Sequence, residues 1–392
     1  MSSPLPLCLQ NSSSVCCYLV GGAVRDKLLG LSPQERDWVV VGADAEWMER
    51  HGFRRIEPES PVYRHPESGE EYALARREVK VAPGYHGFRF ETGPQITLEQ
   101  DLARRDLTIN AIAQDATGQL IDPFNGQQDL RQRRLRPITP AFVEDPLRLL
   151  RTARFAARLD FRLAHSTHQF LQQMVASGEL ATLPPERVWQ ESHRALAEAY
   201  PWRYFELLQR CGGLAQLMPE LTPSLESSGE PHAPIASPAS AILRRAAALS
   251  ERPEVRFAAL LAHTLPAAAI TPWCQRQRVE KGFRQLAQRL ADQRDAIAAS
   301  AGGDLTAILL LLTVTRGSAA QLDTLLHAAA AGRPDLASEA RHTLYTALSA
   351  WHSIDPQHLA ANGWSGGELG RELERQRQQA VAQALGSYRS EK

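Results

Sequence analysis

The sequence of 392 residues lacks an excess of either charge, because 44 Lys and Arg balance 44 Asp and Glu. Any surface that binds nucleic acid must therefore be a local patch and not a property of the whole chain. No apolar run approaches the roughly 20 residues that a membrane helix requires, so no membrane association is expected. The five cysteines are odd in number and lack the paired spacing of metal ligands. They predict reduced thiols in a cytoplasmic protein.

The residue pattern predicts an α+β fold, with a mixed part followed by a longer helical part. The first 15 residues have neither a basic start nor a continuous apolar stretch, which predicts a disordered extension and not a signal peptide. Strand and helix signals then alternate up to about residue 126, and helical periodicity follows. A Ser- and Pro-rich stretch at 222–240 indicates a linker or a long loop. The expected segments are 1–15, 16–138 (mixed), 139–221, 222–350 and 351–392 (all helical).

A glycine turn near the N-terminus is the first candidate for a binding site. An apolar run from Tyr18 leads directly into Gly21 and Gly22, and a helical pattern that contains Arg25 follows. Backbone without Cβ can turn sharply and approach a ligand closely, and the free N–H groups of a helix start bind phosphate. The pattern therefore predicts a phosphate site, and the alternative is a purely structural turn.

Two carboxylates follow this turn, at the point where a polar loop enters the next apolar run. Glu35 and Asp37 are two residues apart, so in extended chain they project from the same face. Such a pair next to a phosphate site suits two Mg²⁺ ions, and the alternative is a solvated acidic loop. Glu71 lies in a strand paired across the turn HPESGE and is a candidate third carboxylate, or else a surface glutamate.

A polar cluster follows a predicted mobile loop at 81–97. A helix is predicted from Thr97, with Arg104, Arg105 and Asp106 near its end. Asn110 lies four residues beyond Asp106, so on a continued helix the two side chains stack one turn apart. They are expected to hold a sugar hydroxyl and a phosphate together. The alternative is a solvated helix end.

Two basic stretches lie further along the chain. RQRRLR at 131–136 is a basic cluster next to the expected domain boundary. A helix is predicted at 145–159, with an apolar arc beside a basic one that has no interleaved acid. This basic arc favours anion binding over an ordinary solvated face. Its arginines are Arg148, Arg151, Arg154 and Arg158.

Asp145 and Arg148 are three residues apart at the start of this helix. A carboxylate accepts hydrogen bonds from an exocyclic amine, and a guanidinium donates to ring acceptors. The pair is therefore a candidate for reading the edge of a nucleobase, and a local salt bridge is the competing interpretation.

Taken in order, these motifs resemble those of the bacterial class II tRNA nucleotidyltransferases, the CCA-adding enzymes, and especially the multifunctional proteobacterial branch. The matching segments are YLVGGAVRDKLLG, DWVVVG, EEYALAR, RRDLTINAIA, LIDPFNG, EDPLRLLRTARFAAR and PERVWQE. The resemblance is dense from residue 18 to about 217. It implies a small nucleotidyltransferase head of the DNA polymerase β superfamily, followed by a helical neck, body and tail.

The resemblance also implies a role for each matching residue. The triphosphate is held by Gly21, Gly22 and Arg25, and Mg²⁺ by Glu35 and Asp37; Glu71 is a further catalytic candidate from its strand position alone. The ribose-sensing motif is Arg104, Arg105, Asp106 and Asn110. Asp145 and Arg148 act as the protein template for C and then A, with further nucleotide contacts from Arg151 and Arg154.

Two positions depart from the family pattern. The family usually has Asp at both metal positions, whereas this chain has Glu at position 35. Members of the multifunctional branch carry a His-Asp phosphohydrolase signature after VRFAALL, but here His263 is followed by Thr264 and no adjacent carboxylate. These ligands do not form a dinuclear site, so we expect no phosphohydrolase activity and a structural role for that region.

The resemblance implies addition of C, C and A to the 3′ end of tRNA from CTP and ATP. Three alternatives remain at this level. One is a poly(A) polymerase, although the neutral tail argues against it, and another is an enzyme that adds only C or only A. The third is a non-catalytic RNA-binding relative whose carboxylate pair has decayed.

Overall fold

The computed structural model describes residues 14–33, 35–57, 60–82, 87–225 and 237–390. The chain forms two compact units. The first contains the residues up to Arg187 together with Leu207–Leu217, and the second contains Val188–Glu206 and the residues from Met218 onward. The division between them falls inside the segment 139–221, which the sequence analysis treats as one helical neck.

The first unit is built on a sheet of seven short strands and two smaller two-stranded sheets. In the large sheet the strands lie in the order β3-β4-β5-β2-β1-β8-β9, while β6 pairs with β7 and β10 with β11. The strands are β1 (Cys16–Val20), β2 (Asp37–Val41), β3 (Arg54–Arg55), β4 (Val62–Arg64), β5 (Glu71–Leu74), β6 (Arg76–Lys80), β7 (Phe88–Thr92), β8 (Ala113–Gln114), β9 (Leu120–Ile121), β10 (Arg134–Leu135) and β11 (Arg162–Leu163).

The centre of the large sheet is covered on both faces. Along β2, Val39 belongs to one buried cluster and the next residue, Val40, to another. Successive side chains of a strand alternate between faces, so an uninterrupted apolar run is what a sheet buried on both sides requires. This arrangement fixes where β2 begins, and therefore where the carboxylate at position 37 lies.

The helices of the first unit flank these strands. They are α1 (Gly22–Leu28), α2 (Ala45–Arg50), α3 (Leu98–Ala103), α4 (Gly126–Gln132), α5 (Leu147–Leu159), α6 (His165–Ala176), α7 (Pro185–Ala197), α8 (Trp202–Cys211) and α9 (Gly213–Leu217), of which α7 and α8 extend into the second unit. Thr97 caps α3 through a capping box with Gln100, as the predicted helix start requires.

Two predictions for the first unit are wrong in part. The segment predicted as a mobile loop contains β7, which pairs with β6 over five residues from Arg76↔Thr92 to Lys80↔Phe88. Residues 83–86, between these strands, lie outside the described part. Of the predicted N-terminal extension, residues 1–13 lie outside it too, but Val15 is buried in the same cluster as Val40. Cross-strand pairing in the first case and apolar burial in the second outweighed the local sequence signal.

Within its described residues, the second unit is helical. It contains parts of α7 and α8, then α10 (Thr222–Leu225), α11 (Pro238–Leu249), α12 (Pro253–Thr264), α13 (Ala267–Arg276), α14 (Lys281–Asp292), α15 (Arg294–Ala301), α16 (Leu305–Val314), α17 (Ala319–Gly332), α18 (Pro334–His352), α19 (Pro356–Ala361) and α20 (Gly366–Ser390). The predicted linker 222–240 is thus helical at both of its ends, and its central residues, 226–236, lie outside the described part. Ser237 caps α11 by accepting a hydrogen bond from the Ser240 N–H.

No single helix among the described residues combines the length and apolar character of a membrane span. The bent pair of α16 and α17, which meet at 115°, meets that criterion only when the two are taken together.

Candidate active site

The predicted glycine turn forms the junction between β1 and α1. Gly21 has φ of 69°, in the left-handed region that disfavours residues with a side chain. A Cβ at this position would also lie 2.9 Å from Nη1 of Arg105. The turn therefore requires glycine at position 21 for both conformation and space, because the Arg105 guanidinium lies against it. Phosphate binding by Gly21 and Gly22 stays a prediction.

Arg25 is buried one turn into α1 and already has internal partners. Its guanidinium forms an ion pair of 2.8 Å with Asp26 and donates to Oδ1 of Asn110 at 2.5 Å. It also lies 5.1 Å from the ring centre of Phe155. Burial lowers the pKa of Arg25, and the charge of Asp26 opposes that shift. Arg25 thus holds Asp26 and Asn110 in position. Direct binding of a triphosphate by Arg25 stays a prediction.

A chain of polar contacts runs from Arg25 through Asn110 and Asp106 to Arg151. Asn110 donates to Asp106 at 2.9 Å, and Arg151 Nε donates to the other oxygen of Asp106 at 2.8 Å. Burial alone raises the pKa of Asp106, but Arg151, Asn110 and the Leu107 N–H together hold it well below its usual range. Asp106 is therefore a buried, permanently ionised carboxylate at neutral pH.

The contact between Asp106 and Asn110 was predicted for the wrong reason. The helix does not continue through these residues, because α3 ends at Ala103 and a separate 3₁₀ turn, Thr108–Asn110, follows. That turn brings Asn110 back over Asp106. The four-residue spacing placed the two side chains together through a turn and not through one helical face.

The two predicted metal carboxylates lie at the start of β2. Asp37 is the first residue of the strand, and Glu35 precedes it by two residues. Although Asp37 keeps part of its surface exposed, the surrounding protein removes enough water to raise its pKa; the negative charge of Glu35 raises it further, and Arg105 opposes both. Metal binding by these two carboxylates stays a prediction.

Glu71 is the register partner of Asp37 on the parallel neighbour β5. Its carboxylate, however, lies 4.0 Å from Nη2 of Arg64 in an exposed pair. Within the described part of the chain, no group of three or more His, Cys, Asp or Glu residues is placed to hold a metal. The third-ligand role of Glu71 therefore stays a prediction, with adjacency in the sheet as its support.

Arg104 and Arg105 do not form a solvated helix end. Both donate to the fully buried carboxylate of Asp101, at 2.9 and 3.1 Å, and Arg104 also pairs with Glu78 at 2.9 Å. Each of the two guanidinium groups is thus held by a carboxylate in a fixed geometry. This fixes Arg105, whose guanidinium lies against Gly21 and whose charge lowers the pKa of Asp37.

Asp145 and Arg148 meet at the start of α5. The Asp145 carboxylate accepts from the Leu147 N–H at 2.9 Å and lies 3.8 Å from Arg148 Nε. Arg148 is buried and donates to three further groups: Glu78 at 3.5 Å, the Arg104 carbonyl at 2.8 Å and the Ala141 carbonyl at 3.3 Å. Burial raises the pKa of Asp145, and the Leu147 N–H and Arg148 oppose that shift.

The other arginines of α5 also have partners inside the first unit. Arg151 pairs with Asp106, and Arg158 with Asp26 at 2.7 Å. Arg154 lies 4.9 Å from the ring centre of Phe155. The basic arc of α5 was predicted to have no interleaved acid, and within α5 this is true. Its acidic partners are Asp26 on α1 and Asp106 after α3. Arg151 and Arg158 therefore connect α5 to the residues after α3 and to α1. Anion binding by Arg151 and Arg154 stays a prediction.

Glu78 is a residue that the sequence analysis missed. It lies on β6 and connects Arg104 with Arg148, which are 44 residues apart in the chain. The strand alternates Arg, Glu and Lys without a distinctive pattern. Its partners lie 26 and 70 residues away, so no local signal identifies it.

The arrangement combines three elements of nucleotidyl-transfer chemistry in one unit. Two neighbouring carboxylates lie at a strand start, a glycine turn lies beside a fixed arginine, and a carboxylate–guanidinium pair stands at a helix start. The first suits divalent cations, the second phosphates and the third a nucleobase edge.

Comparison with known proteins identifies the family. Residues 17–136 match the family model of the poly A polymerase head domain, and residues 160–225 match the model described as the probable RNA and SrmB-binding site of polymerase A. The multifunctional CCA protein of Nitrosococcus oceani is 41% identical over 403 residues, an alignment that covers 95% of this chain and 99% of that protein.

Two solved structures have the same fold. The CCA-adding enzyme of Bacillus stearothermophilus in complex with CTP superimposes with a TM-score of 0.66 at 21% identity, covering 98% of this chain and 96% of the other. The Thermotoga maritima CCA-adding enzyme in complex with tRNA gives a TM-score of 0.64 at 21% identity, covering 95% and 92%. The predicted fold class, a nucleotidyltransferase head followed by helices, is confirmed. The Nitrosococcus oceani protein is 41% identical and is matched over nearly the whole of both chains. This protein therefore belongs to the class II CCA-adding enzymes, in the group named multifunctional CCA proteins.

Proposed function

We propose that this chain adds C, C and A to the 3′ end of tRNA, using CTP and ATP and releasing pyrophosphate in the cytoplasm. The observation that carries the proposal is the family match over nearly the full length; the matching motifs up to EDPLRLLRTARFAAR lie in the first unit, and PERVWQE spans the division between the units. The related enzymes that were solved with CTP and with tRNA support the choice of substrates.

The residues at the start of β2 fit Mg²⁺. This ion prefers oxygen ligands and is usually held by one or two carboxylates together with substrate phosphates, not by an all-protein cage. Glu35 and Asp37 supply two such carboxylates, and a cation would offset the burial that raises the pKa of Asp37. When bound, Mg²⁺ lowers the pKa of an attacking hydroxyl and neutralises charge on the phosphates. The extra methylene of Glu35 requires a rotamer or backbone adjustment relative to Asp.

Arg148 is proposed to take part in selection of the base. Three of its five N–H groups are used by Glu78, Arg104 and Ala141, which leaves two for a base edge. Cytosine and adenine each offer an amine donor next to a ring nitrogen acceptor, which matches Asp145 as acceptor and Arg148 as donor. Uracil and guanine have the opposite pattern, with a carbonyl next to a ring N–H, so they would leave both side chains without a partner.

The second unit is proposed to lack phosphohydrolase activity. His263 on α12 is the remnant of the expected signature, and its Nε2 is buried without a hydrogen-bond partner in the described structure. Burial lowers the pKa of His263 to about 4, and the charges of Arg294 and Arg245 contribute. Within the described part of the chain this neutral, enclosed histidine belongs to no group of three or more His, Cys, Asp or Glu residues placed to hold a metal, which argues against a dinuclear site.

One assay tests the proposed function against its alternatives. Purified protein receives tRNA transcripts that end before CCA, after C or after CC, and each labelled nucleotide is supplied in turn with Mg²⁺. We expect two C and one A to be incorporated, followed by a halt.

Continued A addition would identify a poly(A) polymerase, and incorporation of C or A alone would identify a partial enzyme. If no nucleotide is incorporated, Glu35→Asp is tested next. A gain on that substitution would attribute the inactivity to the extra methylene, and no gain would indicate a non-catalytic RNA-binding relative.

A further inference from the structure

A group of arginines at one end of α5 has no acidic partner, unlike the arginines along that helix. We define the β10–β11 basic patch as the side chains of Arg131, Arg133, Arg134 and Arg162. All four residues are exposed. None of their side chains forms an ion pair or a hydrogen bond with a residue that the structure describes. The Arg133 guanidinium lies 5.9 Å from the ring centre of Phe161.

The sheet register places two of these charges side by side. Arg134 and Arg162 are Cα partners in the parallel pair of β10 and β11, so their side chains leave the same face of adjacent strands. Like charges directly opposite each other in a sheet are destabilising. The next pair, Leu135 and Leu163, lies on the other face, and Leu135 is fully buried. The register is therefore fixed by burial, and it holds the two arginines together without an internal counter-charge.

The contrast with the rest of the unit indicates an external counter-charge. Arg25, Arg104, Arg148 and Arg158 each pair with a carboxylate, and Arg136, two residues beyond Arg134, pairs with Asp129 at 3.0 Å. On a chain with no net charge, four unpaired arginines within 32 residues form a local positive surface. Arg131 lies in the last turn of α4, where the helix dipole by itself favours a cation. Arg134 and Arg162 have no such internal reason for their charge and are therefore the central residues of the patch.

We propose that the β10–β11 basic patch binds the phosphate backbone of the RNA whose 3′ end is extended. This inference rests on the proposed function. The base-reading pair stands at the start of α5, and the patch follows its end, 13 helical residues later. At about 1.5 Å per residue the separation is about 20 Å. A nucleic-acid strand advances roughly 3.4 Å per nucleotide, so the patch meets the backbone on the order of six nucleotides from the growing end.

The test removes charge without removing the strands. Arg134→Gln combined with Arg162→Gln keeps the backbone bonds between β10 and β11, such as Arg162 N–H to the Arg133 carbonyl at 3.0 Å. The matched control is Arg50→Gln with Arg55→Gln, which removes two exposed charges of the same unit that already pair with Glu46 and Glu49. Thermal unfolding shows whether each variant folds, and Arg134→Lys with Arg162→Lys restores the charge.

Binding is measured by fluorescence anisotropy with tRNA that lacks CCA, without nucleotide, over a range of salt concentrations. Two lost phosphate contacts should make the slope of log binding constant against log salt less steep by about 1.4 to 1.8. We expect binding roughly tenfold weaker at about 50 mM salt, with the lysine variant close to wild type. In turnover, KM for tRNA should rise while KM for CTP and kcat stay unchanged.

If the glutamine variant folds and has the same tRNA affinity and salt slope as the control, the proposed role of the patch is wrong. The same holds if its KM rises for CTP and not for tRNA. Since the binding measurement needs no catalysis, wild-type protein that binds tRNA but incorporates nothing would overturn the proposed function and leave the patch standing.

Discussion

The two compact units differ in how they treat charge. Six Asp, Glu or Arg residues are buried in the described part of the first unit (Arg25, Asp26, Asp101, Asp106, Asp129 and Arg148), against three in the second (Glu191, Glu206 and Arg256). In the first unit the buried charges pair mostly with partly buried partners from other parts of the fold, such as Asp106 with Arg151 and Arg148 with Glu78. In the second, Glu206 pairs with Arg203 and Arg244, and Arg256 donates to the carbonyls of Leu196 and Glu198 at the end of α7.

This difference supports the hypothesis that the first unit performs the chemistry and that the second is a scaffold. Burying an ion pair costs desolvation and is seldom the most stable solution, so a dense network of such pairs indicates a requirement for orientation. The first unit holds Arg105 and Arg148 in place through Asp101 and Glu78. The second unit packs apolar helices and aromatic rings, such as Trp189 against Phe257 at 5.2 Å. Substitutions in the first unit should therefore affect chemistry, and those in the second should affect stability.

The largest effect is expected at Asp37. Replacing it with Ala removes one of the two carboxylates proposed to hold Mg²⁺ and should lower incorporation of CMP by at least roughly a hundredfold, since even misplacement of a reacting group by an ångström costs about that much. Affinity for tRNA and the thermal unfolding midpoint should remain near the wild-type values. Single-turnover rates as a function of Mg²⁺ concentration measure the effect. An unchanged rate would contradict the assignment of the active site to the first unit.

The next effect concerns pH and the second unit. His263 has a pKa near 4 in the folded state, against about 6.5 when unfolded, so between these values the unfolded chain binds more protons. The free energy of unfolding should therefore fall as pH drops from about 6.5 to 4, by on the order of 3 kcal/mol. Denaturant unfolding at several pH values checks this.

His263→Gln does not titrate and should flatten that dependence, whereas His358→Gln, at an exposed position, should leave it as in wild type. Incorporation at neutral pH should be the same for all three proteins. A loss of catalysis in His263→Gln at full stability would break the distinction between scaffold and working unit.

The smallest effect is expected at Glu78. Glu78→Gln keeps the shape but removes the charge that holds Arg148 and Arg104, a contact worth about 0.5 to 1.5 kcal/mol. We expect discrimination against UTP and GTP to weaken by roughly two- to tenfold, with a smaller change in kcat for CTP. Competition assays with mixed nucleotides measure it. As a control, Glu91→Gln on the paired strand β7 removes a carboxylate that binds Arg77 and Arg89 and not Arg148. Equal selectivity in the two variants would show that Glu78 has no positioning role.

Much of the first unit could be predicted from local pattern. The run from Tyr18 into two glycines gave the strand, turn and helix, and the apolar residues after Asp37 gave the next strand. Thr97 marked a helix start, and it caps that helix. The pair of Asp145 and Arg148 was expected at the start of a helix, and it lies there. These features depend on residues a few positions apart, whose spacing the sequence states directly.

The sequence alone thus determined the family, the order of elements, the spacing of the carboxylates and the helical character of the second unit. The tertiary structure decided which charges meet: Glu78 with Arg148, Asp26 with Arg158, 132 residues away, and Arg134 beside Arg162. It also turned a predicted loop into the strand β7. Periodicity encodes which face a residue lies on, whereas the partner of a buried charge is set by elements distant in the chain that come together only when the apolar faces pack.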